Sequence, residues 1–215
     1  ASYDVVVVGA GNAALTAALA DVVLPADGEY YLIVDGDLTY LDYELPYAFT
    51  IHAHPVTSVP LALGSTFNGN VSTPGEQDRF TFSLSGQTRL YFDSLVDDNN
   101  VRWMLSGPEG TLVADRGFGA SDGSGFTSNP VLNAAAGDYV LTVYRQNDDT
   151  GGYQFRLLDL DAEGRPLLFD TPVIGTLETS GRETVVYAFD AAANERIRFD
   201  ITSVDNGNTR FRLLD

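Results

Sequence analysis

The residues best suited to chemistry are oxygen-rich loops. Asp97-Asp-Asn-Asn100 recurs as Asp205-Asn-Gly-Asn208, and Asp35-Gly-Asp37 and Asp148-Asp149 add further carboxylates. Calcium takes six to eight oxygens from carboxylates, amides and carbonyls, and tight loops of Asp and Asn supply them. Asp97, Asp98, Asn100, Asp205, Asn206 and Asn208 are therefore the candidate metal ligands, with Ca2+ the candidate ion and no cofactor required. The same residue types are what hairpin turns demand, and turn chemistry is the favoured reading. His52 and His54 alternate on one extended segment and face the same way, as a metal pair would, yet no third ligand can be named. Asn70-Val-Ser72 is a glycosylation sequon. No Ser lies in a Gly-x-Ser-x-Gly context and no carboxylate pair stands out from the acidic background, so no catalytic residue is assigned.

A second pattern opens the chain. Tyr3-Asp-Val-Val-Val-Val-Gly9-Ala-Gly11-Asn-Ala-Ala14 resembles the start of FAD- and NAD-dependent oxidoreductases. The resemblance implies cofactor binding through Gly9 and Gly11, with phosphate at the N-terminus of a helix from Asn12 and Asp35 on the ribose. The rest of the chain departs from it. A Rossmann half alternates helices with strands, whereas residues 60–215 are short alternating strands punctuated by Gly, Asn and Asp. The opening reads instead as strand, turn and strand.

An internal repeat organises the elements. Pro60-Leu-Ala-Leu leads to Gly69 and then to Phe80-Thr-Phe82; Pro166-Leu-Leu-Phe leads to Gly175 and then to Tyr187-Ala-Phe189. The offset is 106 residues at the proline and the glycine and grows to 107 at these strands. Leu90-Tyr-Phe-Asp93 matches Ile197-Arg-Phe-Asp200, and Arg102-Trp-Met-Leu105 matches Arg210-Phe-Arg-Leu213. The chain's beginning matches the repeat's end. Tyr30-Tyr-Leu-Ile-Val34 mirrors Tyr139-Val-Leu-Thr-Val143, Tyr47-Ala-Phe-Thr-Ile51 mirrors Tyr153-Gln-Phe-Arg-Leu157, and Gly9 falls on Gly107.

The expected fold is all-β, with tandem jelly-roll-like β-sandwich domains. Residues 1–58 read as the back half of one repeat, 59–162 as a complete repeat, and 163–215 as a front half completing 1–58 of the same or a neighbouring chain. Gly-Asp/Glu-Tyr-x-Leu-x-Val, Gly-x-Tyr-x-Phe-x-Leu and the opening Asp78-Arg-Phe-Thr-Phe82 resemble bacterial pre-peptidase C-terminal domains. That resemblance implies small sandwiches beside secreted proteases or in large surface proteins, some of them calcium-binding.

Half-repeats leave apolar faces and a backbone edge open. They can close on each other within one chain, join chains head to tail, or belong to a window of a longer array; Ala1 in place of Met fits a processed chain or such a window. Tyr3 to Val8 and Thr209 to Leu214 both map onto Val101 to Ser106, so a composite domain would carry that strand twice. Tyr3, Val5, Val6, Val7 and Val8 are thus the candidate assembly strand, or else a buried strand of their own sandwich.

Composition narrows the partners. Net charge is −18, from 22 Asp, 8 Glu and 12 Arg without any Lys or Cys. Nucleic acid is excluded as a partner, and no run is long enough to enter a membrane as a spanning helix. The expectation is a non-enzymatic, secreted or surface-displayed protein that binds copies of itself as a filament, sheath or stalk. The alternative is an accessory module of a secreted hydrolase that binds polysaccharide or another surface ligand, with Tyr40, Tyr43, Tyr47 and Trp103 as a conceivable sugar platform.

Overall fold

The structure, a computed structural model, describes residues 28–32, 34, 46–48, 50, 51, 58–122, 129–147, 149–178, 182–204 and 209–214. The chain divides into two units, 1–55 and 56–215. In the first, every described residue is exposed and none lies in a strand.

The second unit opens with nine strands: β1 (Ser58–Pro60), β2 (Phe67–Val71), β3 (Gln77–Leu84), β4 (Thr88–Ser94), β5 (Val101–Gly107), β6 (Gly110–Gly117), β7 (Val131–Ala134), β8 (Gly137–Arg145) and β9 (Gly151–Asp159). They form two sheets, ordered β1-β3-β8-β5-β6 and β2-β9-β4-β7. All pairings are antiparallel except β1 with β3. This is the all-β sandwich expected from the alternating pattern.

Alternation fixes which side chains meet. Phe80, Phe82 and Leu84 of β3 point inward, as do Val101, Trp103 and Leu105 of β5 and Tyr153, Phe155 and Leu157 of β9. The two inner faces interlock through rings. Phe92 of β4 stacks on Trp103 of β5 with centroids 4.0 Å apart and planes 8° from parallel, and lies 5.1 Å from Phe155. Trp103 is wholly buried, so it belongs to the core and not to a sugar platform.

Two glycines are required by close approach. A Cβ on Gly107 would sit 2.1 Å from the Tyr139 ring, and one on Gly69 2.1 Å from the Tyr153 ring. Gly69 and Tyr153 are direct partners in the β2–β9 register.

After β9, a one-turn helix α1 (Leu160–Glu163) is capped by Asp159, which accepts from the Asp161 amide at 3.0 Å and the Ala162 amide at 3.3 Å. Then β10 (Arg165–Pro166) pairs in parallel with β11 (Tyr187–Ala188). This pair repeats the first one. Val59 lies opposite Phe80 and Pro60 opposite Thr81; Arg165 lies opposite Tyr187 and Pro166 opposite Ala188. The Leu61 amide donates to the Thr81 carbonyl at 2.8 Å, and the Leu167 amide to the Ala188 carbonyl at 2.8 Å. The turn between them also recurs: Glu76 Oε2 accepts the Ser72 and Thr73 amides, and Glu183 Oε1 accepts the Glu178 amide at 2.9 Å. The bond to the glutamate spans five positions from Glu178 and four from Ser72, which matches the one-residue growth of the offset. The sequence repeat is therefore also a repeat of backbone pairing.

Candidate functional site

The opening segment of the second repeat is laid on the sandwich at one charged notch. Asp93, at the end of β4, is fully buried. Its Oδ2 accepts from Arg156 of β9, through Nε at 2.7 Å and through Nη2. Its Oδ1 accepts the Thr184 amide at 3.1 Å, while Arg156 Nη2 donates onward to the Thr184 carbonyl at 2.8 Å. Thr184 is thus gripped at both main-chain groups. Arg182 Nη1 adds a bond to the Leu95 carbonyl at 3.4 Å. Asp122 lies beside Asp93, its Oδ2 accepting the Ser94 amide at 2.9 Å. Next to it, Trp103 Nε1 donates to Ser121 Oγ at 2.6 Å, and that hydroxyl donates to the Gly117 carbonyl at 2.7 Å.

Burial governs the electrostatics here. Desolvation raises the Asp93 carboxyl, with the Arg156 charge and its hydrogen bonds opposing that rise. Asp122 lacks a cation of its own, so burial and the neighbouring Asp93 charge push it up to about 8. Burial likewise lifts Tyr91, whose hydroxyl region faces Thr184, to about 12.

Of the candidate metal ligands, Asp97, Asp98 and Asn100 lie in the β4–β5 loop. Asp98 Oδ2 accepts Arg145 Nη2 at 2.8 Å, and its Oδ1 accepts the Asn100 amide at 2.9 Å. Arg145 also reaches Asp149, at 2.7 Å from Nη2 and 3.0 Å from Nε. Arg145 therefore already pairs with Asp98, and the Asp98–Asn100 bond is the turn closure expected of Asx residues. Among the described residues no three His, Asp or Glu side chains converge to hold a metal. Asp205, Asn206 and Asn208, His52 and His54, Gly9 and Gly11, and the strand Tyr3, Val5, Val6, Val7 and Val8 lie outside the described residues. Asn70 is exposed at the edge of β2, where its amide donates to Ser72 Oγ at 3.1 Å.

A small cleft beside Arg156, about 40 Å³, is lined by Glu163, Arg165, Glu183 and Thr184. That volume is well below the several hundred Å³ of a substrate pocket. No helix of the described residues is long and apolar enough to cross a membrane. The notch at Asp93 was missed by sequence reasoning, because its partners lie 63 and 91 positions away along the chain.

Sandwich topology invites comparison with solved structures. The chain is similar to a pre-peptidase C-terminal domain. That of a collagenase from Bacillus anthracis is 18% identical, with 49% of this chain and 99% of that chain covered at a TM-score of 0.36. PliG from Salmonella Typhimurium, a periplasmic inhibitor of g-type lysozyme, is 14% identical over 48% of this chain and 98% of its own, at a TM-score of 0.38. PliG from Aeromonas hydrophila is 16% identical over 49% and 98%, at a TM-score of 0.36. No family model and no curated protein matches the chain. The fold stands on the strand pairing described above.

Proposed function

We propose that the chain is a non-enzymatic structural protein of the cell exterior, whose two half-repeats complete one another head to tail between copies. One observation carries this reading. Apolar residues exposed in the flanks occupy repeat positions that form the core of the central sandwich. Tyr47 is 70% exposed where its counterpart Tyr153 is 3%; Phe199 is 54% where Phe92 is 1%; Phe211 is 64% where Trp103 is 0%. Leu32, Ile51 and Leu213 follow the same rule against Leu141, Leu157 and Leu105. Large apolar side chains left exposed at core positions of the repeat suit burial against a partner.

The glycine–tyrosine contacts support the pairing of the halves. Gly69 makes room for Tyr153 in the central repeat. Its counterpart Gly175 lies in the C-terminal half, and the counterpart of Tyr153, Tyr47, lies in the N-terminal half. Each flank thus carries one residue of the matching glycine–tyrosine pair. The doubled sequence segment, with Tyr3 to Val8 and Thr209 to Leu214 both matching Val101 to Ser106, favours completion between copies, because a single chain closing on itself would carry that segment once too often. Calcium in the Asp/Asn loops would offset the charge of −18 that each chain brings to such an assembly.

Negative-stain electron microscopy with light scattering of the full chain tests this, with calcium and with chelator. Regular filaments are expected, and Gly175→Val should abolish them while leaving the central sandwich folded. Monomers whose flanking aromatic residues are protected from solvent would overturn assembly in favour of closure within one chain. Monomers with those residues exposed would overturn both and favour an accessory binding module.

A further inference from the structure

The strand β11 is paired on one side. Its counterpart in the central repeat, β3, lies between two neighbours, β1 and β8. β10 takes the place of β1 beside β11, and among the described residues no strand takes the place of β8. Backbone direction sets which side is open. The Val186 and Ala188 carbonyls accept the Arg165 and Leu167 amides at 3.0 and 2.8 Å, so both residues turn their main-chain groups to β10. Alternation along the strand then turns the amide and carbonyl of Tyr187 the other way. A sheet edge of this kind is a template for an added strand.

The repeat identifies the missing neighbour. β8 opens Gly137-Asp-Tyr139-Val-Leu141, and Gly28-Glu-Tyr30-Tyr-Leu32 keeps that spacing in the N-terminal flank. Residues 28–32 are exposed and lie outside any strand.

We propose, on the reading that half-repeats complete one another between copies, that residues 28–32 of a second copy add to the open side of β11 as an antiparallel strand, with Leu32 opposite Tyr187 and Tyr30 opposite Phe189. The register is that of β3 with β8, where Leu141 lies opposite Phe80 and Tyr139 opposite Phe82. In the central repeat the Phe82 and Tyr139 rings stack 5.2 Å apart with planes 12° from parallel. Phe189 already meets Phe169 at 5.6 Å and Phe199 at 6.2 Å, so the incoming Tyr30 extends a cluster of rings that is in place. A slip of one residue would turn Leu32 outward and Tyr31 inward, against the apolar pattern of the repeat. The next pair is unfavourable. Asp190 falls opposite Glu29, where the Ser83 hydroxyl donates to Asp138 Oδ1 at 2.6 Å in the central repeat. Like charges there weaken the end of the strand, and the hold rests on the two apolar pairs.

The chain has no cysteine, so engineered thiols report the register without background. Thr81 faces Val140 across β3 and β8, and its carbonyl accepts the Leu61 amide on the β1 side. The two are therefore a pair without mutual hydrogen bonds, with Cα atoms about 4.5 Å apart and within reach of a disulfide. Their counterparts Ala188 and Tyr31 are both exposed. Full chains carrying Ala188→Cys alone and Tyr31→Cys alone are mixed, assembled and oxidised. A mixed disulfide dimer is expected, and a covalent ladder from the double variant. Glu29→Cys in place of Tyr31→Cys, two positions off on the same face, should cut the yield about tenfold. Filaments without the mixed dimer would overturn this strand assignment and leave completion between copies standing. An internal disulfide in the double variant without the mixed dimer would overturn both in favour of closure within one chain, and so would the absence of filaments and of any disulfide. In the unsubstituted chain, hydrogen exchange at the Tyr187 amide should slow on assembly, and unchanged exchange in filaments overturns the proposal.

Discussion

Phe92 and Phe199 occupy the same repeat position in opposite circumstances, which makes Phe→Ala at each a matched experiment. Phe92 is 1% exposed and stacked between Trp103 and Phe155, at 4.0 and 5.1 Å. Truncating a core Phe costs about 3–5 kcal/mol from lost transfer energy and the cavity left behind. The two ring contacts place Phe92 in the upper part of that span. Phe199 is 54% exposed, and such substitutions stay within about 0.5 kcal/mol. Trp103 is the single tryptophan, so its emission in urea reads the central sandwich alone. With a slope of about 2 kcal/mol per molar, F92A should lower the midpoint by about 2 M and F199A by less than about 0.3 M. F199A should instead abolish filaments, because the same ring would be buried in the assembled half-repeats. Equal midpoint losses for the two variants would place Phe199 in the central core and refute the assignment of a separate, uncompleted half.

Two further outcomes are expected of the central sandwich. The Tyr153 hydroxyl donates to Asp78 Oδ2 at 2.5 Å, and burial together with that carboxylate holds the phenol proton well above its ordinary range. Tyr153→Phe should cost about 1.5–3 kcal/mol by urea unfolding, since it leaves a half-buried carboxylate short of a donor. Asp115 accepts Arg102 Nε at 2.7 Å and Nη2 at 2.6 Å, plus the Tyr144 hydroxyl at 2.7 Å, which holds its carboxyl below the ordinary range. Its stabilisation is present above pH 4 and is lost on acidification. Asp115→Asn should flatten the acid limb of the urea midpoint by less than about 1 kcal/mol, because the Asp115 side chain is 44% exposed and screened by water.

The sandwich was legible because its causes are local. Alternation in Phe80-Thr-Phe82 and Tyr153-Gln-Phe155-Arg-Leu157 sets which face is buried, and the recurrence of Pro60 and Phe80 as Pro166 and Tyr187 anticipates the repeated β-pairing. The notch was not legible. Asp93 looks like any acid closing a strand, and its burial depends on Arg156 and Thr184, which only the tertiary fold brings near. Arg145 carried no sequence signal for the same reason, since its link to Asp98 spans 47 positions. Gly107 shows the opposite case. Its need for glycine comes from the Tyr139 ring, and the matching positions Gly9 and Tyr30 keep the same residue types in the sequence.

Every ion pair among the described residues joins an arginine to an aspartate. Across all 215 residues there is no lysine and no cysteine. Isopeptide bonds from a lysine side chain, transamidase cross-links to lysine and disulfides therefore have no donor in these 215 residues, and a fibre joined through them forms without those three kinds of bond. Strong denaturant should return such a fibre to single chains without a covalent ladder on a gel, and removing the denaturant should let it grow again.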